Sequence, residues 1–173
     1  MQRCAGLVAV GLVAVVAACG SGSKHSATTP STTTPRPGRY ATIAKARTAV
    51  DFPVPDPGTH LDQARLTRIV VGSSHFASGP GTTVTFFYSG GGIEGATVEV
   101  GPPNTGFGRA IASSLEHDVG PRLVGPHFSA ESEDDSYAFR CGDVMVFVSM
   151  YEPSPSRWKR LLTRVARDCP EKR

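Results

Sequence analysis

Ser136–Tyr137–Ala138–Phe139–Arg140–Cys141–Gly142–Asp143–Val144–Met145–Val146–Phe147–Val148–Ser149–Met150–Tyr151 is the stretch on which the fold turns. Its first half alternates: Tyr137, Phe139 and Cys141 fall on one side, Ala138 and Arg140 on the other, as in a half-buried strand. Its second half is apolar on both sides, with Val144, Val146, Val148 and Met150 against Met145, Phe147 and Tyr151. A strand of that kind belongs in the middle of a sheet, covered on both faces. Gly142–Asp143 between the halves reads as a hairpin turn.

Downstream, residues 155–168 predict a helix. Trp158, Leu162, Val165 and Cys169 are spaced four, three and four, which is one helical stripe, and Leu161 widens it. Ser154 or Ser156 can cap the start, and Pro170 stops the chain just past the end. Cys169 thus closes the buried stripe, and Cys141 sits on the Tyr137/Phe139 side of its strand. A disulfide between them would pin the last helix across the sheet. The enclosed loop of about 29 residues is worth roughly 3–4 kcal/mol in the chain-entropy account.

Upstream, three more strands are expected: 66–71, 82–88 with Val84, Phe86 and Tyr88 on one side, and 95–100 with Ala96, Val98 and Val100 against Thr97 and Glu99. Gly79–Pro80–Gly81 reads as a hairpin turn between the first two, and Gly90–Gly91–Gly92 as the turn before the third. Residues 105–118 predict a helix from Phe107, Ile111 and Leu115 at i, i+4 and i+8, with Asn104 or Thr105 as cap. Residues 40–50 suggest a short helix. Pro53, Pro55 and Pro57 hold the following segment extended, with Phe52 and Val54 docking it on the core. The order strand, strand, strand, helix, strand, strand, helix argues for an α+β fold: a mostly antiparallel sheet of about five strands, two helices packed on one face, and one disulfide.

The chain has 173 residues and a formal charge of +3. One domain is the sensible prior, and the charge is too small to imply a nucleic-acid partner. Residues 5–18 are small and apolar without a break, preceded by Arg3. That suits the apolar core of a signal peptide and falls short of the roughly twenty residues that span a bilayer. The run ends in Val16–Ala17–Ala18–Cys19–Gly20, which resembles the lipobox of bacterial lipoproteins: an aliphatic residue, two small residues, then cysteine. The resemblance covers the first twenty residues. It implies a diacylglyceryl group on the Cys19 sulfur, cleavage before Cys19, and an N-acyl chain on the new terminus. Two acyl chains hold a protein stably where one is marginal.

Residues 19–39 form the next segment: the lipidated cysteine, then Gly, Ser, Thr and Pro with almost nothing apolar. Such a stretch cannot bury enough surface to offset its ordering entropy, and it is expected to be a disordered tether. Nineteen residues, 20–38, reach about 60 Å when fully extended. A Thr/Pro tract is compatible with an O-glycosylated stalk and equally with a bare spacer. With the Ala/Val-rich leader and the high Gly, Pro and Arg content, the composition resembles the small lipoproteins of high-GC actinobacteria such as mycobacteria. The expected organisation is a signal peptide over 1–18, the anchor and tether over 19–39, and one α+β domain over 40–173.

Chemistry is sparse. Ser156–Arg157–Trp158–Lys159 has the Ser-x-x-Lys spacing of penicillin-binding enzymes, but so does Ser21–Gly22–Ser23–Lys24 inside the tether, and the companion motifs are absent. His60, His75, His117 and His127 are scattered, with no pair at metal-ligand spacing. Glu131, Glu133, Asp134 and Asp135 lack the pattern of a calcium loop and read as a solvated turn. No cofactor is expected beyond the covalent lipid. The one charge asymmetry is C-terminal. Arg157, Arg160, Arg164 and Arg167 lie off the apolar stripe, either as a solubilising helix face or as a contact for anionic lipid heads or wall polymers.

The resulting expectation is a non-enzymatic lipoprotein on the extracytoplasmic face of the cell membrane, binding an envelope protein, lipid or polymer. The alternative is a carrier or sensor of an apolar ligand held among Phe86, Phe87, Tyr88, Phe139, Phe147 and Tyr151. An envelope hydrolase ranks below both.

Overall fold

The structure, a computed structural model, describes residues 34–61, 63–91, 93–117, 122–124, 129–133, 136–150 and 155–170. The signal-peptide expectation, Cys19 and most of the tether lie outside the described residues. The elements in chain order are β1 (Gly38–Tyr40), α1 (Ile43–Arg47), β2 (His60–Leu61), β3 (Ala64–Gly72), β4 (Thr83–Gly90), β5 (Ile93–Gly101), α2 (Gly106–His117), β6 (Arg122–Val124), β7 (Ser129–Glu133), β8 (Ser136–Cys141), β9 (Val144–Met150) and α3 (Pro155–Val165). A 3-10 turn, Ala166–Asp168, prolongs α3. The fold is α+β.

All pairings in the sheet are antiparallel, in the order β1-β3-β4-β5-β9-β8-β7-β6, with β2 also on β3. The chain leaves β5, runs through α2 and the β6–β8 strands, and returns with β9 directly against β5, Val98 opposite Val148. The five expected strands are all present. Four further strands of two to five residues, β1, β2, β6 and β7, widen the sheet. Gly142 makes the β8–β9 turn at φ 59°, a left-handed conformation that glycine adopts without steric cost.

Strand β9 is buried on both sides and divides the core in two. Val144, Val146, Val148 and Met150 join Val84, Phe86, Tyr88, Val98 and Phe139 on the first face. Helix α3 covers that face with Trp158, Leu161, Leu162 and Val165, and α1 adds Ile43 and Ala46. The Trp158 and Tyr137 rings meet at 4.6 Å between centroids. On the second face, Phe107 and Ile111 of α2 pack against Ala138, Met145 and Phe147.

This corrects the expectation that both helices share one face. The reason is the strand itself: Met145 and Phe147 point away from α3, and a one-sided helix layer would leave them in water. The Gly79–Pro80–Gly81 turn also differs. Gly72 pairs with Thr83, so residues 73–82 form a ten-residue connection rather than a tight hairpin. It folds over the second face, where the Phe76 ring lies 4.0 Å from that of Phe147.

Cys141 and Cys169 are bonded, with Cα atoms 5.1 Å apart. The bond ties the end of β8 to the end of the last helix, and both residues are buried. Replacing both cysteines by serine is expected to cost about 3–4 kcal/mol. Urea midpoints of the wild type with and without reductant, against the double variant, measure it. An unchanged midpoint in all three would contradict the stabilising role.

Candidate functional site

The cysteines of the folded part are consumed by the disulfide, so neither Cys141 nor Cys169 is available for redox chemistry while the bond holds. Of the four arginines singled out by sequence, Arg157 lies in the first turn of α3. Arg160, Arg164 and Arg167 are exposed on the outer side of the helix and its 3-10 turn. Arg164 has a structural duty: its Nε–H donates to the Pro57 carbonyl at 3.3 Å. Among the described residues Arg160 and Arg167 have no hydrogen-bond partner.

Arg164 and Arg167 share a cleft of about 290 Å³ with Asp56, Gly58 and Asp168. Asp168 organises it. Its Oδ2 accepts from the Asp56 backbone N–H at 3.0 Å and from Arg47 Nη2 at 3.3 Å. Arg47 also donates from Nε to the Val54 carbonyl at 2.7 Å. The proline-rich segment is thereby tied to the end of α3, and α1 with it. Gly58 sits at φ 82°, and a side chain there would strike the Arg164 guanidinium at 2.5 Å. Beneath the cleft the Tyr88 hydroxyl donates to the Gly58 carbonyl at 2.8 Å. Burial, and then the nearby Asp56 carboxylate, push the Tyr88 phenol well above its usual range, and Arg164 offsets part of this.

Two carboxylates among the guanidinium groups make this cleft mixed in sign. It fits a structural clasp better than an anion pocket.

The second face carries a group that pattern reading missed. Glu99 is only 2% exposed. Alternation puts Thr97 and Glu99 on the side opposite Ala96, Val98 and Val100, and that side is covered too. Residues 73–82 cover it. The His75 backbone N–H donates to both carboxylate oxygens, 3.2 Å from each. Thr85, directly across the strand pair from Glu99, is buried as well.

The His75 ring stands edge-on to Phe87 at 5.2 Å, and the Arg68 guanidinium carbon lies 3.9 Å from the Phe87 centroid. Phe76 is 38% exposed beside them. The only foretaste in the sequence was His75–Phe76, an aromatic pair in a connection otherwise of small residues. A carboxylate can accept about four hydrogen bonds. Among the described residues Glu99 has one donor.

The remaining candidates are dispersed. The His60 Nδ1 lies 3.1 Å from Thr59 Oγ1, and His75 is engaged as above. Among the described residues no group of three His, Cys, Asp or Glu residues could hold a metal ion. Glu131 and Glu133 belong to β7, paired with β8, and not to a turn; residues 134 and 135 lie outside the described residues. The six aromatic residues proposed to line one pocket divide between two faces. Phe86, Tyr88 and Phe139 are in the first core, Phe87 and Phe147 on the second face, and Tyr151 is outside the described residues. No described helix is long and apolar enough to cross a membrane. No family model, no curated protein and no solved structure matches the chain.

Two outcomes follow from these contacts. Glu99→Gln keeps an oxygen for the His75 N–H and removes a buried charge, so it should leave stability at pH 7 unchanged or raise it by about 1 kcal/mol. Glu99→Ala, which leaves the N–H without a partner and a void under the 73–82 connection, should cost about 2 kcal/mol or more. Denaturant unfolding distinguishes them, and equal losses in both variants would contradict the description of Glu99.

Tyr88 stays neutral in the fold, whereas an unfolded tyrosine ionises near pH ~10. Its contribution is therefore complete below that pH and is lost progressively above it. Tyr88→Phe should cost about 1 kcal/mol at neutral pH and reduce the alkaline decline. An identical alkaline profile in wild type and variant would contradict this.

Proposed function

We propose that the chain is a lipoprotein held by lipid on Cys19 to the extracytoplasmic face of the cell membrane. Its disulfide-pinned domain is a non-enzymatic accessory that binds an envelope component. The observation that carries the reading is the division of the cysteines. The disulfide uses both cysteines of the folded part, Cys141 and Cys169. Cys19 stands apart, at the end of an apolar leader, in the context Val16–Ala17–Ala18–Cys19–Gly20 that resembles a lipobox.

The disulfide supports export, because such bonds form and persist in oxidising compartments outside the cytosol. A diacylglyceryl group and an N-acyl group on Cys19 would together supply three acyl chains, at about 0.8 kcal/mol per buried CH₂, and two already suffice for lasting attachment. No nucleic acid is part of the proposal. An internal pocket for an apolar ligand receives less support, since its candidate lining is split between the two faces of the sheet.

Growth of the native host with labelled palmitate tests the anchor. The protein should carry label, and Cys19→Ser should abolish it and release the chain from the membrane fraction. Unlabelled wild-type protein would overturn the proposal.

A further inference from the structure

The charge of the chain is distributed unevenly over the fold. Residues 34–56 and 155–170, which hold β1, α1, the proline-rich segment and α3, carry nine basic residues and three acidic ones. The rest of the chain from residue 19 onward carries eight basic and twelve acidic residues. A surplus of six thus faces a deficit of four, although the net charge from residue 19 is small.

The fold brings the two basic segments together. Both α1 and α3 cover the first face of the sheet. Arg47 of α1 bonds Asp168 at the end of the last helix, and Arg164 bonds the Pro57 carbonyl. Lys45, Arg47, Lys159, Arg160, Arg164 and Arg167 are all exposed. Only Arg47 and Arg164 are held by the clasp. The side chains of Lys159 and Arg160 on α3, and of Arg167 on the 3-10 turn, have no hydrogen-bond partner among the described residues.

The chain also enters the fold on this side. The Arg36 backbone N–H donates to the Ala49 carbonyl, just past α1, and Tyr40 packs against the first-face core. Two further cations, Arg36 and Arg39, are exposed there. Fourteen residues lie between Cys19 and Thr34, a reach of at most about 50 Å. An anchor at Cys19 would therefore hold this side within about 50 Å of the lipid heads.

We infer that the α1–α3 side is a membrane-docking surface for anionic phospholipid headgroups, with α3 lying along the bilayer. The inference rests on the lipid-anchor reading for its geometry, but the attraction itself belongs to the domain. Basic residues gain from the negative surface potential only within about a Debye length, 8–10 Å at physiological salt. The covalent chains supply residence, and the arginines supply orientation. The second face, with Phe76, Phe87 and Arg68, then points away from the bilayer, toward the rest of the envelope.

The test uses the chain from residue 19 onward with Cys19→Ser, so that no lipid contributes. It is sedimented with vesicles of phosphatidylcholine alone and of phosphatidylcholine mixed with phosphatidylglycerol. Binding is expected only to the mixed vesicles, and added salt should weaken it. Lys159→Gln/Arg160→Gln/Arg167→Gln should lower partitioning at least about tenfold, given that each such charge near an anionic surface is worth roughly a fivefold effect. The charge-matched control Arg65→Gln/Arg68→Gln/Arg109→Gln should bind nearly as wild type, and circular dichroism of both variants checks that they are folded.

Equal loss in the two triple variants, equal binding to both vesicle types, or no binding at all would overturn the inference. So would displacement by glycerol phosphate at the headgroup concentration, which would indicate a free-anion site. Palmitate labelling reads the anchor separately, so the docking surface can fail while the anchor stands, and the reverse.

Discussion

Burial of β9 on both sides is the constraint from which the architecture follows. A strand with Val144, Val146, Val148 and Met150 on one side and Met145 and Phe147 on the other must have cover above and below. Helix α3 provides the first cover and α2 the second, with the Phe76 connection completing it. The return of β9 to lie beside β5 makes this strand the seam between the β1–β5 half of the sheet and the β6–β8 half. The disulfide then fixes the end of the covering helix to β8, the neighbour of β9.

That arrangement separates two surfaces with different chemistry. The first-face helices turn their apolar stripes inward and their lysines and arginines outward. The second face keeps a buried carboxylate, the exposed Phe76 ring and a guanidinium over the Phe87 ring. The first surface suits a bulk anionic plane, which needs charge density and no shape. The second instead exposes the Phe76 ring beside the Phe147 ring, with Arg68 over Phe87.

Much of this was legible from residue pattern because it depends on short-range periodicity. The Trp158–Leu162–Val165–Cys169 stripe, the alternation in β4, β5 and β8, and the Cys141–Cys169 pair all stand where spacing put them. The elements that escaped are those whose existence depends on a distant partner. Strands β1 and β2 have three and two residues, too few for any period, and form only because β3 offers an edge. Strand β7 is Ser129–Glu133, with poor strand propensity, and exists because β8 has a free side to pair. Glu99 stands in the polar half of the β5 alternation, and nothing local announces that residues 73–82 cover it. The side on which each helix packs was recoverable in principle: a strand apolar on both faces already calls for helices on both.

The proposal as a whole depends on the fate of one thiol, and the intact mass of the protein purified from its native membrane reads that fate directly. A mature chain starting at Cys19 and heavier by a diacylglyceryl group and an acyl chain is the predicted result. A terminus free of lipid, or one that still carries residues 1–18, would contradict it.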